Sequence, residues 1–121
     1  MVLVDTSVWV SHFRKGNPHL EALLQDGDVV CHPFIVGELA CGRIKNRSEI
    51  LSLLQSLPMA EPVELNEALK FIESNRLMGI GLGFIDIHLL AAALLTEVPL
   101  WTLDKKLGKA SSKLKINFTP G

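Results

Sequence analysis

The sequence predicts an α/β fold, with helices packed on a mainly parallel sheet, and three observations predict it. Short apolar runs at Val2–Val4, Val29–Cys31 and Leu100–Leu103 have the look of strands buried on both faces. Segments with apolar residues at helical spacing separate these runs, as crossover helices between parallel strands must. Helical segments also clearly outweigh the strands. At 121 residues the chain has the length of one domain, taken as residues 1–121, with room for a real core.

Val2-Leu3-Val4 ends at Asp5-Thr6-Ser7, where any of the three could cap a following helix. Val8, Trp9 and Phe13 give that helix an apolar face. Pro18 opens a second helix through Leu20, Leu23 and Leu24, ending near Gly27. After the second strand, Pro33 opens a helix carrying Ile35, Val36, Leu39 and Ala40, with Gly42 as its expected C-cap. Ser48–Leu57 and Leu65–Leu77 are amphipathic helices, the first stopped by Pro58. Gly79, Gly81 and Gly83 make a loop, and a long apolar helix follows from Ile87. Pro99 precedes the third strand, and Leu114–Phe118 is expected as a last edge strand.

Apolar residues make up 48% and charged residues 21%, which excludes a disordered chain. The longest apolar run, Leu89–Leu95, is far short of the ~20 residues that span a bilayer. Asp5 follows the start with no basic region before an apolar stretch, so no signal peptide and a cytoplasmic location are expected. Cys31 and Cys41 have no metal-binding or redox spacing and are expected as buried free thiols. The net charge of -1 points to no partner by itself, but the basic residues are clustered. Five lysines and no acid follow Asp104. Arg43, Lys45 and Arg47 alternate, and Arg14 and Lys15 adjoin. Such runs are ordinarily solvated surface. Around an acidic centre they would make a phosphate-binding rim.

Four of the thirteen acids stand inside apolar segments or at strand ends. Asp5 and Asp104 each follow a predicted strand, which places both beyond the same edge of one parallel sheet, where functional groups gather. Glu38 lies within a helix among apolar neighbours, and Asp86 lies near the start of the long apolar helix. Taken singly, Asp5 and Asp86 could be helix caps and Asp104 could begin a turn with Lys105. Glu38 has no such reading. Brought together, four carboxylates repel and raise one another's pKa. A divalent cation relieves this, and an oxygen-only donor set favours Mg²⁺ or Mn²⁺ over Zn²⁺.

Thr6, Ser7 and Thr102 place hydroxyls beside Asp5 and Asp104 that could orient a carboxylate or a water. Capping and strand propensity are their plain alternatives. His88, two residues past Asp86, cannot share its helix face and is expected as a packed, hydrogen-bonded residue. The segment GIGLG lacks the Lys-Ser/Thr of a phosphate loop and follows a helix, so it is expected to set backbone angles ahead of Asp86.

The segments VLVDTSVWVSHFR, HPFIVGELACG, GIGLGFIDIHLLAAALL and PLWTLDKKL, in that order and spanning nearly the whole chain, resemble a PIN-domain ribonuclease of the VapC toxin type. The resemblance implies a three-layer α/β/α domain and an acidic pocket of Asp5, Glu38, Asp86 and Asp104 holding one or two Mg²⁺ or Mn²⁺ ions. It implies a toxin that cleaves RNA, often tRNA in related proteins, until a VapB-like antitoxin fills the groove. It implies a homodimer as well. Many relatives carry a basic residue in the glycine segment, preceded by a histidine or tyrosine; Ile80 and Met78 stand there here. Many also have a further acid soon after the fourth, where this chain has Lys105 and Lys106.

The expected chemistry is hydrolysis of RNA phosphodiesters, with Arg14, Arg43, Lys45 and Lys105 as the residues to hold the RNA backbone. A catalytically silent PIN-like binding module is the alternative from another class. Dehalogenase-like phosphatases need a second Asp two positions after the first, where Ser7 stands. Receiver domains need an adjacent acidic pair before the phospho-acceptor, and there is none. A mean hydropathy of +0.30 points to a helix face covered by a second subunit or the antitoxin, on Ser48–Leu57 or Leu65–Leu77.

Overall fold

Val2, Leu3 and Val4 form the central strand β1, and all three are buried. Successive side chains of a strand point to opposite faces, so both faces of this sheet are covered. The computed structural model describes residues 1–121. After β1 come α1 (Thr6–Lys15), α2 (Pro18–Gln25), β2 (Val29–Val30), α3 (Pro33–Ala40) and α4 (Arg47–Ser56). Then follow α5 (Leu65–Asn75), α6 (Phe84–Thr96), β3 (Leu100–Trp101) and α7 (Lys105–Lys113). The sheet order is β2-β1-β3, all parallel, with Val2 opposite Val29 and Val4 opposite Trp101. Single parallel bridges extend both edges, from Cys31 to Met59 and from Leu100 to Asn117. The outcome is the expected three-layer α/β/α arrangement.

Local chemistry starts α2 and α3 where the sequence indicated. Asn17 caps α2 through a bond from Leu20 N–H, with Pro18 in the first turn. His32 caps α3 with Nδ1, which accepts from Phe34 N–H at 2.9 Å, and Pro33 follows. In α6 every residue from Ile87 to Ala93 is buried, so this helix is core on all sides.

Several boundaries differ from expectation. The third strand stops at Trp101, not Leu103. The Leu103 N–H donates to Ser7 Oγ and the Asp104 N–H to Thr102 Oγ1, so side chains rather than a neighbouring strand take up this backbone. The segment Leu114–Phe118 pairs only around Asn117, because Leu114 closes α7 and Lys115 is left-handed at φ 60°. Cys31 joins the sheet only as a bridge, since His32 already begins α3. The cap of α3 is Cys41 rather than Gly42. Cys41 lies past the helix end and is exposed, whereas Cys31 is buried and both are free thiols. Arg47 is not a free surface cation: its guanidinium donates to the carbonyls of Ala40 and Gly42, closing the end of α3.

Candidate active site at the sheet edge

Asp5 leaves β1 as the N-cap of α1 and is buried. Three donors converge on its Oδ2: Ser7 Oγ at 2.7 Å, Thr102 Oγ1 at 2.7 Å and Ser7 N–H at 3.4 Å. Oδ1 receives none of them. Ser7 and Thr102 come from α1 and from the residue after β3, so the two parallel strands are tied together through this carboxylate. Their hydroxyls also lie 3.3 Å apart. The helix cap engages only Oδ2, which leaves Oδ1 for the site role expected of Asp5.

The other acids repeat the pattern. Asp86 is in the first turn of α6, and its Oδ2 accepts from Gly83 N–H at 2.9 Å. Asp104 caps α7, its Oδ1 accepting from Leu107 N–H at 2.8 Å. It therefore starts a helix rather than the turn that its Lys105 neighbour had indicated. Glu38 Oε1 accepts from Thr6 Oγ1 at 2.7 Å, which ties α3 to the residue beside Asp5. In each case one carboxylate oxygen is held and the other has no donor.

Burial divides the four. Asp5 is buried and Asp86 half-buried, while Glu38 and Asp104 are exposed. Glu38 is thus not embedded as its apolar neighbours in sequence imply: Ile35 and Leu39 take the buried side of α3, and Glu38 faces out. The Asp86 carboxyl is pushed above its ordinary value, first by burial and then by the charges of Asp5 and Asp104, against the bond from Gly83. That coupling brings three of the four acids into one electrostatic neighbourhood. No three carboxylates, histidines or cysteines are so arranged that they already cage a metal ion. Oxygen donors with one free oxygen each still suit Mg²⁺, which keeps several waters and is held by only one or two carboxylates.

Arg14, Arg43 and Lys45 line a cleft of about 440 Å³ with Glu38 and the apolar Val10, Phe13, Leu39, Ile44 and Ile50. Arg14 also borders a second cleft of about 420 Å³ against Ser7 and Leu103. Lys105 is exposed at the first position of α7, next to Asp104.

His88 is packed, as expected, but its Nδ1 has no hydrogen-bond partner. Phe34 and Phe84 meet its ring edge-on, with centroids 4.8 and 4.5 Å away. His32 escaped the sequence reading. It is fully buried with Nε2 unpartnered, and the signal was its position before Pro33, where a helix cap belongs. Burial, then the nearby His88, lowers its pKa to about 4. The unfolded chain takes up this proton near the ordinary 6.5 and the folded chain only near 4. Stability is therefore expected to fall as the pH drops from 6.5 towards 4. His88, lowered by burial too, acts in the same sense. His32→Asn keeps an acceptor for Phe34 N–H and is expected to flatten that dependence, read from urea midpoints across the range.

Known proteins share both sequence and fold with this chain. The PIN domain model matches residues 2–113. Ribonuclease VapC32 of Mycobacterium tuberculosis is 43% identical over 114 residues, covering 93% of this chain and 92% of that protein. The crystal structure of PAE2754 from Pyrobaculum aerophilum superposes with a TM-score of 0.68 at 19% identity, over 97% of this chain and 87% of that one. FitAcB from Neisseria gonorrhoeae gives a TM-score of 0.63 at 18% identity, covering 99% of this chain and 98% of that one.

Proposed function

Since the chain belongs to the PIN-domain family, among its VapC ribonucleases, we propose that it is a metal-dependent endoribonuclease and the toxin of a toxin–antitoxin pair. Asp5 and Asp86 would hold the principal Mg²⁺ or Mn²⁺ ion, Glu38 would complete or bridge the site, and Asp104 would hold a second ion or the attacking water. The observation that carries this assignment is the donor-free oxygen that each of the four carboxylates keeps while its other oxygen is engaged. Such an ion, when bound, polarises the phosphate and makes water a nucleophile near neutral pH.

The chain's own residues do the rest. Ser7 and Thr102 fix the Asp5 carboxylate in one rotamer, so its free oxygen does not have to be oriented during reaction. Thr6 does the same for Glu38. Arg14, Arg43 and Lys45, sharing a cleft with Glu38, and Lys105, beside Asp104, hold backbone phosphates of the RNA without reading its bases. A tRNA is one candidate substrate. The same cleft joins apolar and basic linings and suits a VapB-like antitoxin segment that carries apolar and acidic residues. Exposed Leu53 on α4 and Leu65 and Leu69 on α5 support a homodimer through one of these helices.

RNA cleavage by the purified chain is expected in Mg²⁺ or Mn²⁺, and its loss in Asp86→Ala. Equal cleavage by both would remove Asp86 from the site. The alternative from another class is a catalytically silent PIN-like binding module. Folded wild-type protein that takes up no Mn²⁺ in calorimetry would favour that second reading.

A further inference from the structure

Gly81 sits in the loop ahead of α6 at φ +86° and lies directly beneath the side chain of Lys106. A Cβ at Gly81 would stand 2.8 Å from Lys106 Nζ, 2.9 Å from Cδ and 3.2 Å from Cε. The outer half of this lysine therefore rests on bare glycine backbone, in a space that any other residue would fill. Most exposed lysines give up rotamer freedom when they bind. Lys106 has given up part of it already.

The place is as informative as the packing. Gly81 is two residues before Gly83, whose N–H holds Asp86, and Lys106 is two residues after Asp104. The ammonium is thus set between the segments that present two of the coupled acids. Those acids take their hydrogen bonds from Gly83 and Leu107. Helix stability does not account for the lysine either. The first turn of α7 carries Lys105 and Lys106 and no acid, although the positive end of a helix dipole disfavours cations there.

We propose that Lys106 is a positioning residue that grips an RNA backbone phosphate next to the scissile bond, and that Gly81 is the cradle that aims it. This rests on the ribonuclease reading above. The ligand is a phosphodiester of single-stranded RNA, bound by charge and not by base identity.

The test is equilibrium binding of a mixed-sequence single-stranded RNA oligonucleotide in Ca²⁺ over a series of salt concentrations, with cleavage of the same RNA in Mg²⁺ measured alongside. Lys106→Met is expected to weaken binding several-fold and to flatten the slope of log K against log salt by about 0.7, the value for one phosphate contact on a single strand. Lys106→Arg keeps the slope. Gly81→Ala flattens it like Lys106→Met, and adds nothing when both changes are combined. Lys113→Met, an exposed change at the far end of α7, leaves it unchanged. A wild-type slope in Lys106→Met overturns the proposal, and so does a further loss when Gly81→Ala is added to it. Circular dichroism identifies a Gly81→Ala chain that fails to fold, and the Met and Arg variants at Lys106 then decide alone. Wild-type protein that neither binds nor cuts RNA overturns the ribonuclease reading, and this inference with it. Wild-type protein that cuts RNA at the same rate and salt dependence as Lys106→Met overturns this inference only.

Discussion

Asp5→Asn is expected to lower RNA cleavage by about a thousandfold or more without unfolding the chain. The amide oxygen can still accept from Ser7 and Thr102, as Oδ2 does in the wild type. The amide nitrogen then takes the place of Oδ1, which no donor reaches, so the fold loses little and the site loses its charge. Metal-free stability at neutral pH is expected to hold or rise. The Asp86 carboxyl is raised in part by the Asp5 charge. A carboxyl raised on folding weighs against the fold once the pH exceeds its ordinary value, so removing a neighbouring charge relieves it. Initial cleavage rates and thermal midpoints, measured on one preparation, check both halves. A variant that cuts at the wild-type rate would take Asp5 out of the reaction.

Leu90→Ala is expected to give the largest loss of stability, about 2–5 kcal/mol. Leu90 is fully buried in the middle of α6, and its neighbours on the helix from Ile87 to Ala93 are buried as well. Most surface helices can shift towards a void from their wet side. This helix has no wet side over that stretch, so the cavity stays open. A small domain has only about 5–15 kcal/mol in total, so the variant is expected to be marginal. The urea midpoint with an unchanged slope is the measurement. A loss under about 1 kcal/mol would mean that the helix collapses onto the space after all. The two variants separate the reaction from the fold: one removes activity and keeps stability, the other does the reverse until the chain unfolds.

The sheet and most helices were legible because their signals are local. Buried strands read as apolar runs, and Pro18 and Pro33 mark helix starts by geometry alone. The convergence of Asp5 and Asp104 followed from strand direction, a rule of topology that needs no side-chain detail. What escaped depended on contacts across the chain. The third strand was expected two residues longer because Thr102 and Leu103 have strand composition, yet their surroundings are shaped by Ser7, far away in sequence. Helix α7 was not expected because its apolar face is thin. Within it only Leu107 is a large buried residue, set among lysines, Gly108 and serines, and its buried face is completed by Ala110 and Ser111. Arg47 read as one of a basic cluster, and only the end of α3 reveals its task. Lys106 looked like any solvated lysine until the bare backbone of Gly81 lay beneath it.

Each aspartate of the cluster begins a helix or ties down the loop before one: Asp5 for α1, Asp86 for α6, Asp104 for α7. Folding alone would therefore keep a capping side chain, Asp or its near-equivalent Asn, at all three positions in a descendant that had lost the proposed chemistry. Glu38 starts nothing. It is exposed, mid-helix, and held only by the Thr6 hydroxyl. Loss of the proposed chemistry would leave Glu38 free to change without disturbing a helix start, whereas the three aspartate positions would stay bound to their capping role.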